Sequence, residues 1–251
     1  EQNSGPQSAG RAVYASLIAP RKEAGRILVS GQIDPTVTGA GQLLNDFLAA
    51  VSANVTPTPT IATTPRQPWL SSTINIPDTA VSLGVTGPPR SKTKGAVLRR
   101  RYTDAQIDKA YTHLTRADYT YPSSTFTLAG FGGQINALAS TATATVHRDA
   151  VMLGSVFSTW DVPADDTKHL TWNREFYRDL HADTGGVPVP NDQTDGCYIN
   201  WPDVDLTDPA LNTSGVPYTT LYYKDNYARL QAVKRKYDPR TVFRHKLSVK
   251  P

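Results

Sequence analysis

Residues 195–206 read DGCYINWPDVDL, and residues 221–245 read LYYKDNYARLQAVKRKYDPRTVFRH. The second stretch predicts an amphipathic helix: Leu221, Tyr222, Tyr227, Leu230, Val233 and Tyr237 recur at three- and four-residue steps, with Lys224, Asp225, Arg229, Lys234 and Arg235 between them. Asp238-Pro239 ends it, because a proline pushes the residue before it out of helical geometry. In the first stretch Tyr198, Ile199, Asn200 and Trp201 alternate like a short strand and run into Pro202, Asp203 and Asp205, a turn-rich crossing.

Outward from the tail, the chain alternates blocks of strands and helices. Residues 11–19 and 26–33 read as strands, and Leu43, Leu44, Phe47, Leu48 and Val51 mark a helix from Gly41 to about Ala53. The proline- and threonine-rich stretch 56–68 is extended. Residues 90–101, RSKTKGAVLRRR, read as a solvated strand edge bearing Lys and Arg. Thr103 and Gln106 form a capping box ahead of a helix through Ile107, Ala110, Tyr111 and Leu114. A strand over 124–133, a strand pair within 142–160 and a helix from Pro163 to about Asp183 complete the pattern. The last of these buries Leu170, Trp172, Phe176, Tyr177 and Leu180 and ends at Gly185-Gly186. Together they predict an α+β fold, an antiparallel sheet with helices packed on one face.

Composition narrows the function. The 251 residues carry 26 basic and 22 acidic side chains, a net charge of +4, too small to imply nucleic acid, and no stacking aromatics interleave the basic run before Tyr102. Cys197 is the sole cysteine, so no internal disulfide framework exists. No apolar run approaches the roughly 18 residues of a membrane-spanning helix. His113, His147, His169, His181 and His245 lack zinc-ligand spacing, so no metal is expected. His147, Arg148 and Asp149 do not form a cluster, since adjacent strand residues point to opposite faces. Asp203 and Asp205 read as turn and cap residues rather than an acid/base pair. A sequon at Asn54-Val55-Thr56, followed by Pro57, points toward secretion. The sequence opens at Glu1 without methionine, so a processed chain or a piece of something longer is expected, and no Gly-x-Gly-x-x-Gly or other glycine-rich loop opening a helix is read in it.

Tyr198, Asn200, Trp201, Asp203, Asp205 and Leu206, then Tyr223, Asn226, Arg229 and Leu230, then Tyr237, Asp238, Pro239, Phe243 and Arg244 share one fixed spacing. That spacing resembles the C-terminal signature of the berberine-bridge-enzyme-like FAD-linked oxidases, of the vanillyl-alcohol-oxidase type. Gly132, Gly133, Ile135, Ala144, His147, Arg148 and Trp160 fit the same resemblance. It implies a substrate-binding domain over residues 1–195 and a segment over 196–251 that returns to an FAD-binding domain, supplied by an N-terminal part or a second chain. The implied activity is oxidation of an alcohol or C–H of a small molecule, a sugar or secondary metabolite, by hydride transfer to FAD with O2 as acceptor.

In this resemblance Tyr198 falls on a tyrosine that faces the flavin and assists deprotonation, which makes it the expected catalytic residue; Asn200 and Tyr198 are expected to bind the cofactor, and Ser155, Phe157 and Gln134 the substrate. A free phenol titrates near 10, so ionising one at pH 7 costs about 4 kcal/mol and calls for a cation or a proton-accepting partner. The other reading of Tyr198 is a buried tyrosine donating to a backbone carbonyl. Asn200 fits either a flavin bond or a bond that holds the crossing. Ser155 stands where some members carry Glu or Gln, and a serine is no general base unaided. That departure and the missing FAD loop favour the alternative function, a flavin-free small-molecule binding or cyclising domain derived from the same fold.

Overall fold

The computed structural model describes residues 12–63, 65–74 and 90–251. Arg11, at the start of the first expected strand, and Thr64 in the proline-rich stretch lie outside them. Five strands form one antiparallel sheet: β1 (Val13–Pro20), β2 (Leu28–Ile33), β3 (Arg90–Leu98), β4 (Ser124–Gly130) and β5 (Met152–Trp160), in the order β2-β1-β4-β5-β3. The helices are α1 (Ala40–Ser52), α2 (Trp69–Ile74), α3 (Asp104–Thr115), α4 (Asp166–Leu180), α5 (Tyr218–Tyr223) and α6 (Asn226–Tyr237). None of the described helices is long and apolar enough to cross a membrane.

Register decides which side chains share a face. Leu17 pairs with Leu128, Leu128 with Gly154 and Gly154 with Ala96, while Ala19, Phe126, Val156 and Lys94 make the next row. This face takes the helices, as the alternation of side chains requires. Phe126 meets Phe176 of α4 with ring centroids 5.6 Å apart, and Phe47 of α1 packs against Val13 and Ala15. Trp172, Phe176, Tyr177 and Leu180 of α4 are buried as expected, together with Leu98, Tyr102 and Val156. The opposite face presents Thr127, Ser155, Phe157 and Thr93, and α1, α3 and α4 leave it free.

Several expectations need correction. Residues 142–151 are irregular, so 142–160 holds one strand, β5, rather than a pair. The tail helix breaks in two at Lys224, whose φ of 45° is left-handed, and Val233 and Tyr237 on its stripe are exposed. Tyr198–Trp201 is not a strand: residues 199–201 turn, and only Thr194 bridges to Leu98. In α3 the buried face runs through Ala110 and His113, whereas Ile107 and Tyr111 are exposed, because His113 donates or accepts across to Asp179 of α4 at 2.9 Å.

The capping box is as read: the Gln106 amide N–H donates to Thr103 Oγ1 at 3.3 Å, and the Thr103 N–H donates to Gln106 Oε1 at 2.9 Å. Thr103→Ala leaves the orphan N–H of the first turn without its acceptor and should cost about 1 kcal/mol. A melt of the variant should show Tm about 2–4 °C lower; an unchanged Tm would show that water serves that N–H as well as the hydroxyl does.

Candidate active site

The tail reaches the sheet at its β3 edge. The Asp195 N–H donates to the Val97 carbonyl at 2.8 Å and the Val97 N–H to the Gly196 carbonyl at 2.9 Å, so the edge that would be bare is paired. Cys197 turns to the helix side and its N–H donates to Leu221 O at 2.8 Å. Burial pushes the Cys197 thiol up to about 12, so it is an inert packing group. Tyr198 and Trp201 turn to the other face, where they pack with Phe131, Val97 and Leu153.

Trp201 fixes this wall. A Cβ added at Gly95 would lie 2.4 Å from its indole, so the ring rests directly on the β3 backbone where a side chain is missing. Tyr198 stands edge-on to Trp201 at 5.5 Å and to Phe131 at 6.2 Å. Asn200 Nδ2 donates to the Tyr198 hydroxyl at 2.8 Å, and Asn200 itself is exposed. The phenol therefore accepts one bond, and its own proton has no acceptor among the described residues.

Ser155 pairs laterally with Gly95 on one side and Thr127 on the other, which sets it beside the Trp201 ring. It is 6% exposed, and its hydroxyl makes no hydrogen bond with the described residues. Phe157 lies two residues along the same face and is half-buried. The fold thus puts Tyr198, Asn200, Ser155 and Phe157 on one side of the sheet. Gln134 is not brought to them: it is exposed on the short turn Gly133–Ala137.

Past Trp201 the chain crosses to the helix face at Pro202, and there the charged run on β3 finds its partners. Lys92 Nζ contacts Asp203 Oδ1 at 2.5 Å and Asp205 Oδ2 at 3.0 Å; Lys94 contacts Asp203 and, at 3.1 Å, Asp205. Arg174 of α4 closes a two-pronged pair on Asp205 with both bonds at 2.9 Å. Burial opposes ionisation of Asp205, but Arg174, Lys94 and Lys92 outweigh it and hold the carboxyl well below its ordinary value. The solvated-edge reading of Lys92 and Lys94 is thereby overturned, since Lys94 is 3% exposed. Asp203 is a cap as expected, accepting from the Asp205 N–H at 3.1 Å, and also half of an ion-pair network. On β3 the two-residue step puts Lys92 and Lys94 on one face, and the short turn after Asp203 brings Asp203 and Asp205 to both of them.

Other signature residues hold the tail together. Asn226 Nδ2 donates to the carbonyls of Ser140 and Thr143 at 2.8 and 3.0 Å, and Arg229 to that of Thr141 at 2.7 Å. Asp238 accepts from the Val242 and Phe243 N–H groups at 2.7 and 3.1 Å. Among the described residues no cluster suited to a metal ion occurs.

The donor set can be tested against a flavin. A phenol with a free proton, an exposed carboxamide and aromatic edges suit a planar heteroaromatic ring with polar rim atoms. The sequence holds no complete Gly-x-Gly-x-x-Gly to cradle a pyrophosphate: α1 opens at Gly39-Ala40-Gly41, but Leu44 stands where the third glycine would be. The residues fit the ring end of FAD, and no dinucleotide-binding fingerprint stands beside them for the other end.

Comparison with known proteins agrees with that division. Residues 197–250 match the profile of the family described as Berberine and berberine like. The aclacinomycin-N/aclacinomycin-A oxidase of Streptomyces galilaeus is 45% identical over 248 residues, 97% of this chain and 44% of that protein. The crystal structure of CrmK, a flavoenzyme involved in the shunt product recycling mechanism in caerulomycin biosynthesis, superposes with a TM-score of 0.89 at 41% identity over 99% of this chain and 49% of that one. The glycopeptide hexose oxidase DBV29 complexed with teicoplanin gives 0.85 at 42% identity, over 99% and 49%. The chain spans about half the length of the relatives it matches.

Proposed function

The chain belongs to the berberine-bridge-enzyme-like FAD-linked oxidases as their C-terminal portion, and from that premise we propose that it forms the substrate wall of an oxidase acting on an uncharged, hydroxyl-bearing small molecule, a sugar or glycosylated secondary metabolite. An FAD-binding part, N-terminal to these residues or in a second chain, would hold the rest of FAD opposite the wall. Residues 1–195 carry the substrate surface, and 196–251 tie it to the flavin-binding part.

The observation that carries this reading is Tyr198. Its phenol is held in place by Asn200, its proton is unengaged, and it shares the helix-free face with the unpaired hydroxyl of Ser155. Every side chain that β1, β3, β4 and β5 direct to this face is uncharged, with Ser16, Thr93, Thr127 and Ser155 supplying hydroxyls. Such a surface hydrogen-bonds neutral oxygen groups but offers no counter-charge to a carboxylate or phosphate.

Bound FAD would supply the hydride acceptor, restored afterwards by O2. Tyr198 and Asn200 would meet the ring. Tyr198 takes part in moving the proton that leaves the substrate hydroxyl as the C–H bond gives up its hydride, so that the alcohol loses one hydride and one proton, two electrons and two protons in all, to become a carbonyl. Ser155 donates to, or accepts from, a substrate oxygen, and Phe157 gives the apolar surface beside it. Tyr198 acts as one link in a proton relay, its oxygen accepting from Asn200 while its own proton is free to be passed on.

The test is the complete polypeptide purified natively and read between 300 and 550 nm. We expect a flavin band near 450 nm that bleaches anaerobically with neutral sugars or glycosides and not with the matching uronic acids. Bleaching by the acids as well would remove the neutral-substrate part of the reading. A colourless complete protein would overturn the oxidase reading and leave the flavin-free binding domain.

A further inference from the structure

Next to the proposed wall lies a buried charge cluster that the oxidation step does not use. Asp195 is fully buried; its Oδ2 faces His147 Nδ1 at 2.7 Å, and its Oδ1 meets Lys224 and Arg99. Burial works against the charge on Asp195, and the bonds from His147 and Lys224 overcome it, holding the carboxyl below its ordinary value. His147 is 2% exposed, and its Nε2 faces the Cys197 carbonyl at 3.0 Å. Both ring nitrogens face acceptors, an arrangement that is fully bonded only with a proton on each.

The three donors reach Asp195 from three parts of the fold: Arg99 from the end of β3, His147 from the loop before β5, and Lys224 from the junction of α5 and α6. Between the two atoms that His147 grips lies Gly196, at φ 94°, where an added Cβ would fall 2.2 Å from the Leu221 carbonyl. The chain there is pinned on one side by α5 and on the other by the His147 ring. Directly after Cys197 stands Tyr198, whose ring packs among Val97, Leu153, Phe131 and Trp201 and whose oxygen takes the bond from exposed Asn200.

We infer that His147 is a positioning residue for Tyr198: by bridging the Asp195 carboxylate and the Cys197 carbonyl it fixes the segment from which the phenol hangs over the substrate wall. Its consequence for turnover rests on the oxidase reading; its effect on the ring does not. Arg148 next to it does something else, donating to the Ile135 carbonyl at 2.9 Å and Thr143 Oγ1 at 2.6 Å, which gives a matched comparison one residue away.

The experiment uses the complete polypeptide labelled with 3-fluorotyrosine, with the Tyr198 fluorine line identified by its loss in Tyr198→Phe. We expect His147→Leu to shift or broaden the Tyr198 line while the lines of buried Tyr102 and Tyr119 stay in place. His147→Gln, whose amide can donate twice, should restore the line toward its original position, and Arg148→Gln should leave it unmoved. An unchanged Tyr198 line in His147→Leu would overturn the inference, as would all tyrosine lines moving together, which marks a general structural role. If His147→Leu does not fold, Asp195→Asn, which removes the charge that His147 grips, decides by the same line: a Tyr198 line that stays in place would overturn the inference. The fluorine spectrum is read whether or not the protein carries flavin, so a colourless sample counts against the oxidase reading alone.

Discussion

Tyr198→Phe in the complete protein should lower turnover by about 10²–10⁴-fold, the usual worth of a positioned proton-transfer group, while leaving flavin content and substrate affinity close to those of the parent. The expectation follows from how little the phenol does in the resting site. It accepts one bond from Asn200 and donates none among the described residues, so removing the oxygen breaks no buried structural contact except that one. The ring remains to pack against Trp201 and Phe131. Stopped-flow measurement of flavin reduction separates the chemical step from product release. A reduction rate within a factor of about three of the parent would assign Tyr198 to packing and send the search for a proton acceptor to the flavin-binding half. Asn200→Ala should show a smaller loss, because the phenol keeps its place between two rings.

The largest effect on stability should come from Lys94→Ala. Lys94 and both carboxylates it meets are almost fully buried, and removing one partner leaves charges without compensation in a low-dielectric site, at a cost of about 3–5 kcal/mol. In a chain of this size that corresponds to a Tm lower by about 10 °C. The network is also acid-sensitive, with a definite sign. Asp205 titrates lower in the fold than in the unfolded chain, so its contribution is complete above the ordinary aspartate value of about 3.9 and fades as pH falls toward its folded value. Melting curves of the parent and of Asp205→Asn should therefore differ most near neutral pH and converge below about pH 4. Curves that stay equally far apart down to pH 2 would show that hydrogen bonding, not charge, is what the aspartate contributes.

Sequence reasoning served unevenly, and the reasons are physical. Thr103 and Gln106 were readable because the capping box is closed within four residues, and α4 because its buried side chains recur inside a single helix. The α+β class followed from the order of the blocks. What stayed hidden was long-range. The partners of Lys92 and Lys94 stand more than one hundred residues away at Asp203 and Asp205, so in a local window these lysines look like solvated edge charges. The break at Lys224 was equally out of sight: the apolar stripe of 221–237 runs through it, and the partner that Lys224 meets there, Asp195, is 29 residues away. Tyr198 and Asn200 were found as a motif, but that the second bonds to the first needed the turn at 199–201, which the strand-like alternation concealed.

The indole of Trp201 on bare Gly95 makes two distant positions one decision. In effect β3 borrows a side chain from the tail, and the loan excludes one of its own: a methyl group at 95 would collide with the ring. Homologous chains should therefore covary at these sites, an aromatic at 201 appearing with glycine at 95, and a small residue at 201 appearing where position 95 has grown its own side chain. Substrate range would then drift by exchanging which strand of chain furnishes the same patch of wall, without moving the sheet behind it.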